Sequence, residues 1–145
     1  MNQIKPHALW IGHAGDARSP GAIAKEGIRA VVQLAAEEPP VTLARDLISF
    51  RFPLLDGTGN DAELLDLAIR SVANLLEQGI PTLVACGAGM SRAPAIVAAA
   101  LSLVGRRSPE DCLTEIVEFH AADVSPGLWE EVRRRHFRET SGTNG

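Results

Sequence analysis

Residues 80–105 read IPTLVACGAGMSRAPAIVAAALSLVG, and no other stretch of the chain restricts its fold as much. Ile80 to Cys86 is an almost unbroken apolar run, without the alternation of a strand wetted on one face. A parallel sheet covered by helices on both faces buries such a strand. The run ends in Gly87-Ala88-Gly89, and Ser91 then opens an alanine-rich segment with apolar residues on every side. A helix of that kind is buried all round. The chain therefore contains a buried strand, a tight glycine loop and a buried helix in succession.

The rest of the sequence supplies matching parts. HALWIG is a short strand ending at Gly12, IRAVVQLA a buried one, and ISFRFPLL a third whose Pro53 marks a strand end or a sheet edge. Ser19 caps a short helix with Pro20 in its first turn and Gly27 as its stop. PPVTLARDL is a loop with room for one helical turn. NDAELLDLAIRSVANLLEQG carries Leu64, Leu65, Leu67, Ala68, Val72, Leu75 and Leu76 at helical spacing, with Asn60 or Asp61 as cap and Gly79 as stop. SPEDCLTEIVEFH and PGLWEEVRRRHF are two closing helices. Helices between strands predict an α/β fold: three layers, with a central, mainly parallel sheet of four to five strands flanked by helices. A chain of 145 residues is expected to form one domain over 1–140, with a flexible tail at 141–145.

The net charge of −4 disfavours a nucleic-acid or acidic-membrane surface. Arg133-Arg134-Arg135 reads as a solvated helix face. With Cys86 and Cys112 in no CxxC spacing, neither a zinc knuckle nor a disulfide framework is expected, and Cys112 reads as a small core residue. The four histidines share no metal-ligand spacing. The N-terminal residues lack a signal-peptide pattern, and no apolar run reaches membrane-spanning length. These features predict a cytoplasmic protein with no cofactor and no metal.

Strand, glycine loop and helix form a geometry that holds anions, because the helix N-terminus offers unpaired amides. Gly87 and Gly89 let the backbone curl so that amides converge. The same amides stabilise a thiolate at Cys86, and the planar fork of Arg92 matches two phosphoryl oxygens. A thiolate, an anion cradle (Gly87, Ala88, Gly89, Met90, Ser91) and a bidentate arginine specify phosphoryl transfer through phosphocysteine. Such a route needs an acid for the departing oxygen. Asp56 is the candidate, because its loop follows a strand and strands of a parallel sheet end on one side. A plain Asp-Gly turn is its structural alternative, and Asp61 is a second acid candidate that an N-cap role explains equally well.

This C-x5-R pattern after an apolar strand resembles the signature of the cysteine-dependent protein tyrosine phosphatases, and most closely the small dual-specificity phosphatases. ALWIG resembles that family's opening strand, FPLLDGTGN its general-acid loop, and CGAGMSRAPAIVAAAL its phosphate loop and following helix. SPEDCLTEI and SPGLWEEV resemble its closing helices. The resemblance implies a phosphatase acting on phosphate monoesters, phosphotyrosine and phosphoserine or phosphothreonine among them, on a phosphorylated protein or a small ester. It implies Cys86, Arg92 and Asp56 as catalytic residues. The chain departs from the family pattern twice. Ala85 stands where the family has His before the nucleophile, and Ala93 where it has a hydroxyl after the arginine. The second change implies a slower breakdown of phosphocysteine.

Three other readings fit parts of the chain. Gly89-x-Ser91-x-Ala93 has the form of a nucleophile elbow, with Asp123 and His136 following in hydrolase order, but it leaves Cys86 and Arg92 without a role. A catalytically weak module that binds phosphorylated partners fits Ala85 and Ala93. A sulfur transferase also places cysteine in an anion loop, without the Asp56 loop. Phosphoinositide phosphatases of the resembled superfamily often carry lysines at the variable loop positions; here these are Gly87, Ala88 and Met90, none of them basic, which lowers the lipid reading. The chain has no tyrosine, so Trp10, Trp129 or Met90 would have to flank an aromatic substrate.

Overall fold

The computed structural model describes the backbone of residues 1–143 and the side chains through Arg135. The strands are β1 (Asn2–Gln3), β2 (Leu9–His13), β3 (Ala30–Ala35), β4 (Ile48–Leu54) and β5 (Thr82–Cys86). They form one sheet in the order β1-β2-β5-β3-β4. Only the β1–β2 pair is antiparallel; the other three pairs are parallel. The apolar run from Thr82 to Cys86 is the central strand, and every residue of it is buried. Pro53 lies in β4, an edge strand, where its missing amide breaks no central ladder.

Alternate residues of each strand feed two cores. Trp10, Val31, Leu83 and Ala85 face α1 (Ala14–Ala17) and α2 (Pro20–Lys25), through Ala17 and Ile23. Ile11, Val32, Val84 and Cys86 face the larger core shared with α3 (Ala62–Glu77), α4 (Arg92–Gly105), α5 (Pro109–Val117) and α6 (Pro126–Thr143). The result is the expected three-layer α/β arrangement. α4 lies beneath the sheet with α3, α5 and α6 around it. Its run of alanines allows that close approach, and Arg92 through Ser102 are all buried. Each fully buried Ile or Leu here contributes about 1.5–3 kcal/mol.

Asp61 is the N-cap of α3, its side chain accepting from the amide of Glu63. Ser19 caps α2 in the same way, accepting from Ala22. Leu67 departs from the expected apolar stripe. It is 56% exposed, while Ile69 and Ala73 are buried instead. The core-facing side of α3 runs through Leu65, Ala68, Val72 and Leu75, and Leu67 falls behind it. β1 and the short α1 have no counterpart in the sequence reading. The expected tail at 141–145 overlaps the end of α6, and residues 144–145 lie outside the described residues. Cys112 is fully buried in the larger core, where burial raises its thiol above the usual range.

Candidate active site

Because the four long strands are parallel, the loops after β2, β3, β4 and β5 all emerge at one edge of the sheet. Cys86 ends the central strand there, and residues 87–91 turn back into α4. Gly89 has φ +76°, and a Cβ on it would stand 2.7 Å from the carbonyl oxygen of Gly12. Only glycine fits this approach. The loop carbonyls are tied outward at several points. Gly87 O accepts from Ala14 N at 3.2 Å, and Met90 O accepts from Asp123 N at 2.7 Å. Gly89 O is 2.6 Å from Nε2 of His120, whose other ring nitrogen is 2.9 Å from Nδ2 of Asn2. With these carbonyls engaged outside, the intervening amides are available to an anion on the concave side.

The Sγ of Cys86 accepts from the amide of Ala93 at 3.3 Å. A backbone donor from the first turn of α4 thus reaches the sulfur, at the residue where the resembled family places a hydroxyl. Arg92 opens α4 and is 5% exposed. Its Nη1 donates to Glu37 Oε1 at 2.6 Å and to Leu54 O at 2.9 Å. Its Nη2 donates to Glu37 Oε2 at 2.5 Å. Nε is buried and has no partner among the described residues. A guanidinium has five N–H donors. Nη1 has used both of its own and Nη2 one. The donors that remain, Nε–H and the second Nη2–H, lie parallel in the guanidinium plane along one edge, a fork of the kind that fits two phosphoryl oxygens.

Glu37 is a residue that sequence reasoning missed. It follows β3 at the same sheet edge, and a Cβ on Gly87 would stand 3.0 Å from its Oε2. The hydrogen bonds from Arg92 hold its carboxyl down at about 2. The rule that sites of parallel sheets gather at the carboxyl ends of the strands points to this loop, but nothing in its composition singles out Glu37.

Asp56 comes to the same place from β4. Its Oδ1 accepts from Ser91 Oγ at 2.6 Å and from Ser125 Oγ at 2.6 Å. Burial pushes this carboxyl up, but the hydrogen bonds from Ser125 and Ser91 and the nearby Arg92 cation hold it below its ordinary value. The loop is docked: Asn60 accepts from the amide of Leu55 at 2.8 Å, and Glu131 of α6 accepts from the amide of Gly59 at 2.9 Å. Cys86, Arg92 and Asp56 are therefore brought together around residues 87–91, with Glu37 and Ser125 beside them. Asp61 is occupied as the cap of α3. Ser91 Oγ donates to Asp56, accepts from the amide of Ser125 at 2.9 Å and lies 3.3 Å from the Ser125 hydroxyl, so among the described residues no histidine is hydrogen-bonded to it. The side chain of His136 lies outside the described residues. Asp123 reaches the loop through its backbone. Trp129 is partly buried against the larger core.

Among the described residues no helix is long and apolar enough to cross a membrane. No curated protein is a significant match in sequence. Solved structures match along nearly the whole chain. Human DUSP28 has a TM-score of 0.85 at 20% identity, covering 98% of this chain and 99% of that one. The human tyrosine phosphatase-like serine/threonine/tyrosine-interacting protein has 0.82 at 18%, covering 97% of each. PTPMT1 has 0.79 at 21%, covering 99% and 98%. At such identities the likeness establishes a shared fold, that of the small dual-specificity phosphatases. A family model matches residues 16–106, from α1 to the end of α4, and its description is "Polymorphic toxin system, DSP-PTPase phosphatase". That span holds Glu37, Asp56, Cys86 and Arg92, and with well over half of the sequence inside it the chain belongs to this DSP-PTPase phosphatase family.

Proposed function

We propose that the chain is a cysteine-dependent phosphatase that hydrolyses phosphate monoesters, on proteins in the first instance, through a phosphocysteine intermediate. The observation that carries this reading is the meeting of three separate segments at one loop. Asp56 is hydrogen-bonded to Ser91, inside the loop that runs from the nucleophile to the arginine. A module that only bound phosphate would have no use for a carboxylate there.

The chemistry follows from the donors. A phosphate dianion sits in the cradle of residues 87–91 against the open side of the Arg92 guanidinium. The Cys86 thiolate attacks phosphorus. The S–P bond forms as the P–O ester bond breaks, and its electron pair goes to the leaving oxygen, which takes the proton from Asp56. Asp56, now a carboxylate, then takes a proton from water as that water attacks phosphorus. The S–P bond breaks, and inorganic phosphate and the thiolate return. The thiol has to stay reduced throughout, which suits a cytoplasmic setting.

Leu55 is 50% exposed beside Asp56, and Met90 is 41% exposed on the loop. This apolar rim favours an aromatic or apolar leaving group, as in phosphotyrosine, over a polyphosphorylated sugar. A protein so close in fold to a tyrosine phosphatase-like interacting protein has a second reading as a phospho-binding module. An assay with an aryl phosphate separates the two. Turnover abolished by Cys86→Ser supports the phosphatase. Asp56→Asn should lower it by roughly 10²–10⁴-fold with poor leaving groups. Phosphate binding with no turnover in the wild-type chain would leave only the binding module. A panel of phosphotyrosine and phosphothreonine peptides, phosphoinositides and nucleotides then ranks the substrates.

A further inference from the structure

We propose that Ser125 is a positioning residue for the general acid: together with Ser91 it pins one oxygen of Asp56, so that the proton to be transferred is carried on the other. This rests on the phosphatase reading above and goes beyond it in assigning a role to a residue outside the loop, the acid and the arginine.

Ser125 immediately precedes α6, and its carbonyl accepts from Trp129 N at 3.0 Å, the first bond of that helix. Its hydroxyl reaches Asp56 Oδ1 at 2.6 Å. Its amide donates to Ser91 Oγ at 2.9 Å, and Ser91 Oγ donates to the same Oδ1 at 2.6 Å. The three residues thus form a closed triangle joining the phosphate loop, the acid loop and α6. Both hydroxyls go to Oδ1 and neither to Oδ2. An oxygen that accepts two short O–H bonds is a poor place for a proton. In the protonated acid the proton therefore sits on Oδ2, and the triangle fixes the rotation of the carboxyl that presents it. During P–O cleavage the proton moves from Oδ2 to the leaving oxygen. During hydrolysis Oδ2 takes the proton of the attacking water.

The arrangement works on the acid in two opposed ways. It orients the proton, which raises the rate with any leaving group that needs protonation. It also favours the carboxylate, which moves the limb where activity falls with rising pH to a lower pH. The charged groups that act on Asp56 from the other elements are Arg92 of α4, which lowers it further, and Glu37 after β3, which raises it. Glu131 of α6 is spent on the amides of Gly59 and Asn60. None of these is altered by changing Ser125. α6 approaches the acid loop tightly at this point: a Cβ on Gly127 would stand 2.5 Å from Thr58 Cγ2, so the loop and the helix start are packed as one piece.

The test compares wild type, Ser125→Ala and Ser125→Thr on 4-nitrophenyl phosphate and phenyl phosphate, with Cys86→Ser as the blank. Only the poorer leaving group, phenol, depends strongly on the acid. Ser125→Ala should lower kcat on phenyl phosphate about tenfold, a typical loss for one charge-assisted hydrogen bond. It should leave 4-nitrophenyl phosphate within about twofold, because that leaving group needs little help. The alkaline limb of its pH–rate profile should move to higher pH, and Ser125→Thr should restore both features. Equal losses on the two esters, no loss, or an unmoved limb would overturn the role while the phosphatase reading stood. A wild-type chain that turned over neither ester would overturn the phosphatase reading itself, and the catalytic role with it. A ¹³C titration of Asp56 reads the contact without turnover: it should rise in Ser125→Ala, and an unchanged value overturns the pinning.

Discussion

Replacing Glu37 with glutamine removes one charge and keeps the shape of the side chain. Glu37 holds the end of the Arg92 fork through two bonds, and its carboxyl lies at about 2 where the ordinary value is 4.5. At face value that difference corresponds to about 3 kcal/mol of folding stability. The side chain is 59% exposed, and water screens it, so the expected cost of Glu37→Gln is about 1–2 kcal/mol. For a chain of this length that lowers Tm by about 3–8 °C. The pH dependence has a definite sign. Because folding depresses this carboxyl, its contribution is fully present above pH 4.5 and is lost as the pH falls through about 2. Urea unfolding of both proteins at pH 7, 5, 4 and 3 reads it directly. The gap should hold to about pH 5 and shrink by roughly half near pH 3. Equal midpoints at pH 7, or a gap unchanged at pH 3, would refute the reasoning.

Gly89→Ala forces a left-handed residue with a side chain against the Gly12 carbonyl, and should cost about 2–4 kcal/mol by urea unfolding together with most of the affinity for inorganic phosphate. Leu65→Ala opens a hole in the larger core beside α4 and should cost about 2–5 kcal/mol in the same measurement, at unchanged phosphate affinity per folded molecule. Ala93→Ser returns a hydroxyl beside Cys86; rapid-quench kinetics should then show a smaller burst and a faster steady rate than wild type. The proposed mechanism uses Asp56 in its protonated form, and its carboxyl is held below the ordinary value, so wild-type turnover of phenyl phosphate should fall as the pH rises from 5 to 8, and Asp56→Asn should flatten that limb.

The centre of the molecule could be read from the sequence because it is local. A buried strand, a glycine loop and a buried helix are consecutive, and their apolar runs leave no second assignment. Asp56 was legible from its place after a strand at the right edge of the sheet. Glu37 was not, since AAEEPP has the composition of any solvated loop. It joins the site only through the β3–β5 register, which brings that loop beside Gly87. Ser125 reads as a helix start because Ser-Pro is a cap signature, and its bond to Asp56 spans 69 residues. Leu67 shows the same limit in the core. A leucine-rich helix announces an apolar face, but the packing of α3 on α4 decides which leucine is left in water. β1 is two residues long, too short for any periodicity.

The outward-tied carbonyls of residues 87, 89 and 90 bear on how such a site drifts over time. A binding surface made of side chains can be dismantled one codon at a time. A cradle made of amides offers fewer such handles: Gly89 is one, but the side chains of Ala88 and Met90 can change while the peptide units stay where Ala14, His120 and Asp123 hold them. Recognition of the phosphoryl group is thereby separated from recognition of whatever carries it. On the proposed mechanism, the rim around such a cradle can be rewritten for a new substrate while the cradle itself stands.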